Sequence, residues 1–126
     1  MGQYVFGPVN ANGVVEFATW TRSIIAELRS LMTSGEIREI PHFDDMLATY
    51  QKVLSAIDAA ARSAPGDRIA QITVPMSANE HRHLNGVGRS IETYVEVLAT
   101  RGAVSLDMSP PVAEAFDALV AGGYVE

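Results

Sequence analysis

Two short stretches of this chain gather side chains able to do acid–base or ligand chemistry. The first is Asn79-Glu80-His81-Arg82-His83. Glu80 and His83 are three apart and so share a face if the segment is helical. A Glu-x-x-His pair on a helix is half of a carboxylate-bridged dinuclear metal site in a four-helix bundle. The other half would need a second such pair and two further glutamates, which the helical stretches do not supply. His81 and His83 are two apart and face different ways, so they cannot chelate together as histidines at i and i+4 can. Glu80 also has a structural reading. Ser77-Ala78-Asn79-Glu80 matches a capping box, in which serine hydroxyl and glutamate carboxylate satisfy free backbone N–H groups reciprocally. No bound metal and no cofactor are expected.

The second stretch is His42-Phe43-Asp44-Asp45. One imidazole and two carboxylates could serve acid–base work. The aspartates are equally explained as complements to a helix N-terminus, with Phe43 entering the core. Glu80, His83 and His42 are the candidate catalytic groups, expected to finish a pocket between helices. Trp20, Tyr50 and Tyr94 would line it, and Arg82 and Arg89 complete the set of candidate binding residues. Nucleophilic chemistry has no G-x-S-x-G elbow here. Gly86-Val87-Gly88 lacks the third glycine of a dinucleotide loop and does not follow a strand directly. These glycines break the local helix rule at about 1 kcal/mol each, and such exceptions concentrate at functional or strained positions. They point to the segment from Glu80 to Arg89.

The elements that would hold these groups are mostly helical. Phe17, Trp20, Ile24, Leu28 and Leu31 recur at steps of three and four, one stripe of a helix from about residue 13 to Ser34. Asn-Gly at residues 12–13, between Tyr4-Val5-Phe6 and Val14-Val15-Glu16-Phe17, would also suit a hairpin. Phe43, Leu47, Tyr50, Leu54, Ile57 and Ala61 form a second stripe. Leu84, Val87, Ile91, Tyr94 or Val95, and Leu98 form a third, in a helix from Ala78 to about Arg101. Ser109-Pro110 opens a fourth, shorter helix lined by Val112, Phe116, Leu119 and Val120. Short strands are expected at residues 3–6 and 69–74, with extended pieces at 36–40 and 103–106. Leu31 to Ile37, Leu98 to Val104 and Leu119 to Val125 share the form L-x-x-x-G-x-[IV], which suits a left-handed glycine cap.

Helices longer than ~20 residues beside strands of four to six argue for a mainly α, four-helix bundle-like domain with a few short strands. A small α/β fold with a short parallel sheet is the alternative. The 126 residues, 48% of them hydrophobic, fit one domain. The absence of cysteine excludes disulfides and thiolate chemistry. The first residues lack a signal-peptide pattern, and no run reaches the ~18 apolar residues of a membrane span. The chain is therefore expected to be cytoplasmic, with no membrane partner. A net charge of −6, with nine scattered basic residues, argues against nucleic acid. With no motif naming a reaction, a small acidic interaction or regulatory protein comes first: an inhibitor, immunity or assembly type acting on a protein partner, with a homodimer as its expected oligomeric form. A small enzyme or ligand-binding protein using Glu80, His83 and His42 comes second.

Overall fold

The computed structural model describes residues 2–63, 68–101 and 109–126. The chain opens with β1 (Gln3–Phe6), turns at Gly7-Pro8, and passes through β2 (Val9–Asn10) directly into α1 (Ala11–Ser34). Asn10 decides between the hairpin and the helix. Its side chain accepts a hydrogen bond from the Gly13 N–H at 3.0 Å, a helix N-cap that satisfies a backbone donor left free in the first turn. The helix thus begins two residues before the expected Gly13. Phe17, Ile24, Leu28 and Leu31 are buried along it, with Trp20 half-buried beside them. At its end Gly35 has φ 79°, and its N–H and that of Glu36 reach back to the Leu31 and Met32 carbonyls. That is the glycine cap the sequence pattern predicts.

After an extended connection at 36–40, which forms no strand, come α2 (Phe43–Ser63), β3 (Arg68–Ile69), β4 (Ile72–Pro75), α3 (Ala78–Thr93), α4 (Val95–Arg101), α5 (Pro110–Ala121) and β5 (Gly123–Val125). The fold is mainly α with a few short strands, as the stripes predict. Among the described residues every strand pairing is antiparallel, which removes the parallel-sheet alternative. β1 lies between β4 and β5, and β2 pairs with β3. The strand expected over 69–74 is broken at Ala70-Gln71. The break faces the one at Gly7, where an added Cβ would come 2.6 Å from the Ala70 carbonyl oxygen. Both segments therefore bend together, and the pairing is split between two small sheets.

Two further expectations are corrected. The long third helix is interrupted at Tyr94 (φ −108°, ψ 17°) and becomes α3 and α4. The break falls where Ile91, Thr93 and Val97 concentrate β-branched side chains that lose rotamer freedom in a helix. The glycine cap fails at the end of α5. Gly122 has φ −63° and ψ 168°, and Gly123 already belongs to β5, so the chain leaves straight into the sheet. The third instance of the pattern, at Gly102, and the extended piece at 103–106 lie outside the described residues. Among those described, no helix is long and apolar enough to cross a membrane.

Candidate functional site

The third helix carries the glycines that the sequence marks as exceptions, and the structure gives each a different job. A Cβ on Gly86 would stand 2.5 Å from the Met46 sulfur, so Gly86 lets α2 and α3 approach closely. A Cβ on Gly88 would meet nothing within 4 Å, because Gly88 faces open space.

That space is a cavity of about 240 Å³ walled by α1, α2, α3, α5 and β1. Phe17, Trp20 and Thr21 come from α1, Tyr50 from α2, Tyr4 from β1, and Leu84, Val87 and Ile91 from α3. Its walls are aromatic and aliphatic, as in small-molecule and anchor-residue pockets. Asn85 and Glu92 supply polar groups. The other hydroxyls are committed. Tyr4 donates to the Leu119 carbonyl, and Thr21 donates to the Phe17 carbonyl at 2.9 Å. Burial pushes the Tyr50 phenol up to about 12, against weaker opposing effects of the Thr21 hydroxyl and the Arg22 charge. Tyr50 is therefore neutral across the physiological range. Phe116 and Val120 also line the cavity, yet they are 37% and 67% exposed. Both belong to the apolar stripe expected on the last helix, and α5 turns this part of the stripe to the cavity and the solvent.

The pocket expected between Trp20, Tyr50, Tyr94, Glu80, His83 and His42 is thus divided. Trp20 and Tyr50 line the cavity. Tyr94, His42 and His83 line a separate open hollow of about 360 Å³, together with Arg89, Ser90 and Gly86. The His42 and His83 rings stack with centroids 6.2 Å apart. Glu80 lines neither space. Its carboxylate accepts from the Ser77 backbone N–H at 3.0 Å and meets the Lys52 ammonium at 2.5 Å. Lys52 and the Ser77 N–H hold the Glu80 carboxyl below its ordinary range. The Ser77 hydroxyl accepts from the Glu80 N–H in return, completing the capping box. His81 is turned away from His83, stacking on Tyr124 at 5.0 Å and meeting the Tyr4 ring at a tilt at 5.5 Å. Arg82 is exposed on α3, two turns before Arg89.

Glu39-Ile40-Pro41-His42 repeats the Glu-x-x-His spacing, but it precedes α2 and is not helical. Among the described residues no three His, Asp or Glu side chains gather as a metal site would require. No known protein family, no curated protein and no solved structure matches this chain. Its function must therefore be argued from the cavity and the hollow themselves.

Proposed function

We propose that this protein is a binding module for a protein partner, and that the cavity between α1, α3 and α5 receives an apolar side chain of that partner flanked by basic residues. The observation that carries this reading is the mouth of the cavity, where Phe116 and Val120 stay exposed beside an aromatic hole of about 240 Å³. Folding leaves large apolar groups at the surface only at a cost, and contiguous apolar groups rimming a pocket are typical of interaction sites. Interfaces draw most of their energy from a few side chains seated in such pockets. Glu92 at the rim makes no ion pair among the described residues, and the chain carries a net charge of −6. Both favour a basic flank on the partner.

The cavity supports binding better than catalysis. Its hydroxyls are bonded or held neutral, and Glu80, His83 and His42 lie outside it. Trp20 lines the cavity and is the single tryptophan, so its fluorescence reports occupancy directly. The test is a selection from a displayed random-peptide library, followed by Trp20 emission titrations of the selected peptides. Selected sequences should combine one aromatic or aliphatic anchor with Lys or Arg, and should shift the Trp20 emission. Gly88→Leu should abolish binding by filling the opening, since a side chain there meets open space. Peptides without an anchor, or peptides that bind Gly88→Leu equally well, would defeat the reading. So would a homodimer in sedimentation that falls to monomers on Phe116→Asp, because the patch would then serve self-association.

A further inference from the structure

The hollow on the other side of α3 is a second site, independent of the cavity. Its lining brings together the Arg89 guanidinium, the His42 and His83 imidazoles and the Tyr94 phenol. Arg89 and Tyr94 make no side-chain hydrogen bond or ion pair among the described residues, and His83 makes only the ring contact with His42. Among the described residues no carboxylate lines the hollow. The neighbouring groove carries Glu39, Asp44 and Asp45, and of these Asp45 stands 3.7 Å from the His42 Nδ1. In a chain of net charge −6, a concavity whose described lining holds an arginine and three further donors but no carboxylate stands apart from the acidic balance of the sequence.

The backbone is also shaped for this arrangement. His42 has φ 60°, a left-handed conformation uncommon outside glycine and found where surroundings impose it. It sets the ring against His83 at the start of α2. Gly86 allows the approach of α2 to α3 that forms the floor. Ser90 and Thr93 spend their hydroxyl protons on the Gly86 and Arg89 carbonyls, which leaves the donors to Arg89, the two histidines and Tyr94.

We infer that this hollow binds a small oxyanion of phosphate type, held by Arg89, His42, His83 and Tyr94. Arginine offers a planar fork matched to two oxygens, and imidazole and phenol N–H and O–H groups can reach the others. Four donors drawn from two sides of a cleft suit a tetrahedral anion better than a planar carboxylate, which presents two oxygens.

The experiment is an NMR titration of the full chain with inorganic phosphate at constant ionic strength and slightly acidic pH, with sodium acetate and sodium chloride as parallel arms. Phosphate should move the His42 and His83 ring resonances and the Ser90 and Thr93 amides along saturable curves, and acetate should bind more weakly. Arg89→Gln removes one charge-assisted contact and should weaken phosphate by roughly tenfold or more. Arg62→Gln, a charge-matched change at the far end of α2, should leave the affinity unchanged. Both variants are exposed, and their amide spectra report that they fold. Linear shifts that chloride reproduces, equal affinity for acetate, or equal losses in both variants would each overturn the assignment.

Discussion

Tyr50 shows how one residue's surroundings set its chemistry. It is almost fully buried at the base of the cavity, and burial raises its phenol to about 12 from an ordinary 10.0. The folded value lies above the unfolded one. The stability this confers is therefore complete below pH 10 and is lost as the pH rises through about 12. Two units correspond to roughly 3 kcal/mol. Urea midpoints measured across this range should fall steeply for the native chain and less steeply for Tyr50→Phe, which has no phenol to ionise. Equal slopes would mean that the ring reaches solvent. The aromatic stripe carrying Tyr50 was legible in the sequence because core-facing positions recur at helical spacing. The commitment of the Tyr4 hydroxyl to a carbonyl of α5 was not, since its partner lies 115 positions away.

Among the elements, α3 depends most visibly on local chemistry. Its N-terminus is closed by Ser77 and Glu80, and Lys52 of α2 ties that end to the bundle. Lys52, then the Ser77 backbone, lowers the Glu80 carboxyl from its ordinary 4.5. Its folded value lies below the unfolded one, so this contribution is present above pH 4.5 and fades as the pH falls through the folded value. Thermal midpoints of Glu80→Gln should approach those of the native chain at acid pH and fall below them near neutrality. Ser77→Ala should cost about 1 kcal/mol by removing the reciprocal cap. A parallel offset of Glu80→Gln at every pH would show that the carboxylate charge contributes nothing. The capping box could be read from four adjacent residues, because both partners lie within one turn. The break at Tyr94 could not be placed, because a cluster of β-branched residues weakens a helix without saying where it yields.

At the scale of the whole molecule, the last strand closes the first. β5 pairs with β1, and the turn from α5 passes so near it that a Cβ on Gly122 would lie 2.8 Å from the Phe6 Cβ and from the Val5 carbonyl oxygen. Neither neighbour is the mobile end of a long side chain. Gly122→Ala should therefore destabilise by about 1–3 kcal/mol through overpacking, read as a drop in the urea midpoint. A neutral effect would show that the α5–β5 junction adjusts freely.

The helices, apart from the break at Tyr94, follow from patterns within the chain: apolar residues at steps of three and four, a serine three residues before a glutamate, and a glycine after Leu31. Each of these is decided by neighbours a turn or two away, so the linear order carries it. The functional surfaces are decided otherwise. Trp20 and Tyr94 look alike as members of aromatic stripes, yet one lines the cavity and the other the opposite hollow. Phe116 looks like a core residue and stands at a solvent-exposed rim. His42 and His83 meet although 41 positions separate them. Such pairings depend on how far each helix is rotated as it packs against the others, and that rotation is a property of all the contacts together, which no single segment of sequence records.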